Sequence, residues 1–164
     1  MQSENRKLQT EMIQTLSYCK NDTIVNKRLL EGSSEPPVAF SAYINHAIDH
    51  LTPNTVIPFE IVTTNEGNGF HGPTGLFSCP RSGLYMFVWN IAVDGGHASR
   101  VKFVVNGKTR RWSYTGSSQH WTNGANHDIV RLQVGDHVWI ADDRTQDGQI
   151  HPHHTTFSGV LISP

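Results

Sequence analysis

Ten histidines are many for a chain of 164 residues, and three of them, His151, His153 and His154, stand within four positions. Imidazoles spaced this closely can ligate zinc or copper, and they can act as a pH switch because the ring titrates near neutrality. Beside a three-fold axis each ring would appear three times, multiplying either effect. The plainer alternative is a solvated polar loop with fortuitous metal affinity, since the spacing completes no zinc signature. Just upstream, Asp142, Asp143 and Asp147 are hard oxygen donors of the kind calcium takes. Taken singly, each is more simply a turn former beside Gly148.

A second group lies between residues 110 and 123. Arg110, Arg111, Trp112, Tyr114, His120, Trp121 and Asn123 surround a Gly116-Ser117-Ser118-Gln119 stretch. Sugars are held by aromatic faces against ring C–H groups and by polar groups on the hydroxyls, and this segment offers both. An Arg can also pair with a sugar carboxylate in bidentate fashion. We take Arg111, Tyr114, His120, Trp121 and Asn123 as the candidate ligand-binding residues. Strand alternation competes with this reading, because it would turn Trp112 and Tyr114 into a core and leave only Trp121 exposed.

Covalent chemistry finds little support. A cupin-type oxygenase needs His-x-His followed closely by Glu and a later His. His151 and His153 have that spacing, but no Glu follows them. No Ser-His-Asp order or carboxylate pair stands out. We therefore expect no enzyme, no catalytic residue and no required cofactor, with calcium or a His-bound transition metal as the candidate ions.

The element that must position these groups is Leu84 to Val93, the most apolar stretch. Its odd positions carry Tyr85, Phe87, Trp89, Ile91 and Val93; its even positions carry Leu84, Met86, Val88 and Ala92, interrupted by Asn90. A strand wetted on one side alternates apolar and polar residues. This one is apolar on both sides, so both faces must be covered. One face can close a sandwich core, and a second copy of the chain is the simplest cover for the other.

Around it, turn signals recur every several residues. The alternation predicts strands over Val38 to Ile44, Ile57 to Val62, Phe70 to Cys79, Arg100 to Val105, Lys108 to Tyr114, Asp128 to Val134, His137 to Ala141 and Thr155 to Ile162. Asn106-Gly107 marks a two-residue hairpin. Many short strands without a helical pattern predict an all-β, antiparallel jelly-roll sandwich over residues 36–164.

Residues 1–35 read as an N-terminal stalk, helical or disordered. Leu8, Met12, Leu16 and Cys19 recur at helical steps, which suits a short coiled coil, although isolated short helices are marginal. Glu31 to Pro37 ends any helix and reads as a linker. Cys19 can bridge chains of a bundle or simply be a buried thiol, and Asn21-Asp22-Thr23 is a glycosylation sequon. Cys79, before Pro80, reads as a core thiol; two such distant cysteines make no disulfide framework.

The net charge of -1 gives no electrostatic footprint for nucleic acid, and no run is long enough to cross a bilayer. The first ten residues are polar and unlike a secretory leader, so the protein is either cytosolic or has had its leader removed.

Phe59, Asn65, Phe70, Phe77, Gly83, Tyr85 and Phe87 fall at the spacings of the C1q-domain signature, with Trp89 where the family usually has Phe or Tyr. From VAFSA at Val38 to the closing TTFSGVLIS the chain resembles that family, which shares its fold with tumour necrosis factor-like proteins. The resemblance implies a jelly roll with neighbouring first and last strands, and a secreted homotrimer. We place the aromatic face of the central strand, at Tyr85, Phe87 and Trp89, with Phe157, in that trimer's interface and in the core. Relatives without a collagen stretch include invertebrate lectins, so the resemblance implies multivalent recognition of glycans or microbial surfaces in innate immunity. The alternative it leaves open is a receptor-binding ligand head of the tumour necrosis factor type. Many relatives carry acidic residues before the last strand as a calcium site; HPHHTTF stands there instead, which puts that site in doubt.

Overall fold

The computed structural model describes residues 35–49, 51–117, 119–143 and 150–164. The stalk reading of residues 1–34, with its coiled coil, Cys19 and the sequon, lies outside the described residues, as does Asp147. All described residues but Glu35 and Pro36 belong to the unit Pro37–Pro164.

Among the described residues of this unit, the strands form two five-stranded antiparallel sheets. The first runs in the order β2 (Ile61–Glu66), β1 (Ala39–Tyr43), β10 (Thr156–Ser163), β5 (Gly83–Val93), β8 (Thr122–Leu132). The second runs β3 (Phe70–His71), β4 (Leu76–Ser78), β9 (His137–Asp142), β6 (Ala98–Val105), β7 (Lys108–Gly116). This is the expected all-β jelly roll, with β1 and β10 paired side by side. Among the described residues no helix is long and apolar enough to cross a membrane.

Local chemistry explains where strands start and stop. Asn106 and Gly107 take φ of 48° and 77°, the positive pair a tight hairpin between β6 and β7 demands. Asn65 staples the turn after β2, its amide donating to Phe70 O (2.9 Å) while its carbonyl accepts from Phe70 N–H (3.1 Å). The expected strand at Ile57 to Val62 begins only at Ile61, because Pro58 has no N–H to give a ladder. The expected single strand from Phe70 to Cys79 is split by a 3-10 turn at Gly72–Thr74, which contains Pro73. Conversely, β8 starts at Thr122, six residues before the alternation announced it. Its early residues are polar on the outward side of a sheet edge and carry no apolar period.

The core is aromatic. Phe40 stacks on Phe70 at 4.2 Å, Trp89 lies flat on Phe103 at 5.0 Å, and the Trp89 indole N–H donates to Ser113 Oγ at 2.8 Å. Tyr85, Phe87, Trp89 and Phe157 are all buried within a single chain. This corrects the expected interface, because the odd row of β5 faces the opposing sheet and cannot also face a partner copy. The reason is size: a sandwich interior of about 10 Å needs the larger side chains to fill it. The even row points outward instead. There Met86 sits opposite Ile129 of β8 and Val160 of β10, and Val88 sits between His127 and Ser158. Val88, Ile129 and Val160 stay 40%, 48% and 38% exposed.

Candidate functional site

Two surface groups emerge, and they divide the residues singled out from the sequence. The first lies where β7 and β8, edge strands of opposite sheets, pass each other. Asp128 is buried on the inward row of β8 with Val130 and Leu132. Arg110 Nε donates to its Oδ2 at 2.8 Å, and Arg111 Nε lies 3.5 Å from Oδ1. The register explains why two consecutive arginines reach one carboxylate. Phe103 pairs with Arg111 and Val104 with Thr109, so Arg110 is the extra residue of a bulge, which re-aims its side chain. One carboxylate cannot neutralise two guanidinium groups, so positive charge is left at the surface. Asn126 Nδ2 donates to Trp112 O (3.2 Å), tying the edges together. Arg110, Arg111, Trp112, Asn126 and His127 line a concavity of about 460 Å³.

Trp112 and Tyr114 correct the alternation argument. Trp112 pairs with Lys102 and Tyr114 with Arg100, on the outward row, and they are 57% and 69% exposed. Ser113 and Thr115 turn inward in their place. Asn126 and His127 escaped notice because the strand carrying them was too polar to be recognised.

The second group sits where three loops meet at the C-terminal ends of β5, β7 and β9. The chain returning to β10 is anchored on β5: His151 N–H donates to Ala92 O (2.8 Å), and Asn90 Nδ2 donates to His154 O (2.7 Å). The loop after β7 docks on the turn after β5, with Gly96 N–H donating to Ser117 O (2.8 Å). A Cβ on Gly95 would lie 2.8 Å from Gln119 C, so only glycine permits that approach. Trp121 thereby meets His154 at 4.8 Å and His151 at 5.9 Å between ring centroids, both edge-to-face. Asp94 stands beside His151, with Oδ1 3.8 Å from Nε2.

The remaining candidates scatter. His153 turns away, at φ 62°, with its ring 5.9 Å from Tyr43. His120 is exposed, and Asn123 is exposed on β8 opposite Ala92. Of the acidic candidates, the two among the described residues go to different surroundings. Asp142 continues the inward row of β9 after Val138 and Ile140 and is fully buried. Asp143 is paired with Arg100 at 2.5 Å and lies 3.8 Å from Lys102. Among the described residues, no group of three or more His, Cys, Asp or Glu side chains is arranged to hold a metal ion. Cys79 is buried and donates to Arg81 O at 2.9 Å, the same carbonyl that accepts from Tyr85 Oη at 2.7 Å. Burial pushes the thiol pKa up, which suits a core group and not a nucleophile.

With this geometry in view, the chain can be compared with known proteins. It is 32% identical over 134 residues to Complement C1q tumor necrosis factor-related protein 3 of Mus musculus, covering 77% of this chain and 53% of that protein. It is 30% identical over 129 residues to the Heavy metal-binding protein HIP of Mytilus edulis, covering 76% and 60%. The chain thus spans a little over half the length of these two relatives. Among solved structures, the globular domain of zebrafish complement 1qA superposes with a TM-score of 0.64 at 20% identity, over 78% of this chain and 98% of that one. The Eiger TNF of S. frugiperda superposes at 0.58 and 13% identity, over 78% and 94%, which shows a shared fold. The description of the C1q domain matches residues 39–162, and the chain belongs to the C1q domain family.

Proposed function

We propose that this chain is a secreted, non-enzymatic recognition head that binds glycans, including acidic ones, as a homotrimer. Membership of a family whose domains typically trimerise supports self-association. So does the outward apolar face of the first sheet, a shallow hollow of about 280 Å³ lined by Ala39, Met86, Val88 and Val160. In a closed ring this face meets a different surface of the next copy. The observation that carries the glycan reading is the concavity at the β7–β8 edge. It sets an exposed indole, a surplus guanidinium, an amide and an imidazole side by side, the set that grips a sugar ring and a carboxylate. Three weak sites on one rigid head gain avidity against a repeating surface without any covalent step.

A glycan array of the purified protein, with a parallel sizing run, tests this reading. Binding should be lost on adding free sugar, and Trp112→Ala or Arg111→Ala should abolish it while the sizing profile stays unchanged. A well-folded trimer that binds no glycan, or one whose binding survives both substitutions, would refute it. The receptor-ligand alternative is separated by the same experiment, since a protein receptor would be captured undiminished by free sugar.

A further inference from the structure

His151 and Asp94 come together only in the folded chain, and their facing atoms are mismatched as a pair. His151 Nδ1 lies 3.0 Å from the carbonyl oxygen of Pro152. A carbonyl only accepts, so Nδ1 carries the hydrogen and Nε2 of the neutral ring presents a lone pair. That Nε2 faces Asp94 Oδ1 at 3.8 Å. A charge-assisted hydrogen bond would draw the two to about 2.7–2.9 Å. In that tautomer two acceptors face each other at 3.8 Å.

A cation completes such a pair. An ion of zinc size, bonded to N and O at about 2.0–2.2 Å, holds two donors ~3.4 Å apart at the tetrahedral angle. The observed separation is slightly wider, and both side chains are partly exposed, at 33% for His151 and 40% for Asp94, so a small rotation closes it. The hydrogen bond from Nδ1 to a backbone carbonyl is the outer-shell arrangement that fixes the tautomer of a metal-ligating imidazole. His154 adjoins, with its ring centroid 5.7 Å from that of His151, and the Trp121 ring meets both imidazoles edge-to-face.

We propose that Asp94 and His151 form a solvent-open, two-ligand site for a divalent transition-metal cation of the zinc or copper type. An imidazole nitrogen with one carboxylate favours such ions over calcium, which takes oxygen ligands. Two protein ligands leave the other positions to water, so binding is exchangeable. The proposal goes beyond glycan recognition and does not rest on it, since neither Asp94 nor His151 lines the concavity at the β7–β8 edge.

Titration of the protein with Cu²⁺ tests the site, followed by calorimetry and by tryptophan fluorescence, which copper beside Trp121 should quench. Asp94→Asn and His151→Ala should each weaken binding by about tenfold or more, whereas His153→Ala should not. Acidification should release the ion, because the ligands must be deprotonated. Wild-type affinity in both Asp94→Asn and His151→Ala overturns the proposal, as does an equal loss in His153→Ala. Asp94→Asn keeps the side chain's shape, so the test stands even if His151→Ala fails to fold. Quenching undiminished in Trp121→Phe would place the ion elsewhere and also overturn it.

Discussion

Replacing Val88 by Glu should break self-association while leaving the fold intact. Val88, Ile129 and Val160 retain two fifths to half of their exposure on the outward face of the first sheet. Full burial of such a side chain contributes about 1.5–3 kcal/mol, so covering what remains of Val88 contributes about 1 kcal/mol. A carboxylate placed there must in addition be desolvated against Met86, Ile129 and Val160 without a partner, which costs about 2–3 kcal/mol more. The sum, about 3–4 kcal/mol per contact, weakens each contact by at least about a hundredfold. Sedimentation velocity over a range of concentrations should show the Val88→Glu protein shifted to monomer where the wild type is trimeric. Val134→Glu is the control, since Val134 is 66% exposed in the turn after β8 and off this face. Identical sedimentation of Val88→Glu and wild type, or the same dissociation in Val134→Glu, would refute the assignment of this face.

Two further outcomes follow from the core. At Gly159 an added Cβ would lie 2.5 Å from Phe40 Cε1 and 2.8 Å from Phe87 Cδ1, rings wedged among other rings. Gly159→Ala should therefore destabilise by about 1–3 kcal/mol through overpacking, and an unchanged melting temperature would count against this view of the interior. Burial raises the pKa of both Cys79 and Tyr85 above their ordinary values of 9.0 and 10.0. A pKa raised by folding contributes stability that is complete below the unfolded value and lost as pH rises above it. Urea midpoints should thus hold near neutrality and fall above about pH 9, less steeply in Cys79→Ala or Tyr85→Phe; parallel profiles for all three proteins would contradict this.

The sequence determined the fold through signals that act locally. Asn106-Gly107 set its hairpin because only residues tolerant of positive φ fit there, and Asn65 could be placed by spacing because its side chain bonds a backbone five residues away. Period-two alternation found most strands wherever one face was apolar. It could not say which apolar row of β5 was the inner one, since Tyr85-Phe87-Trp89 and Leu84-Met86-Val88 are both water-averse. Only the second sheet, arriving over the aromatic row, decided that. Nor could alternation fix the outward turn of Trp112 and Tyr114, which depends on the bulge at Arg110 and hence on pairing with β6. The surface groups were least legible of all. Asp128 sits 17 residues or more from the two arginines it gathers, and Asp94, Trp121 and His151 come from three loops. Their proximity is a property of antiparallel strands that bring distant turns to one end, which no spacing along the chain records.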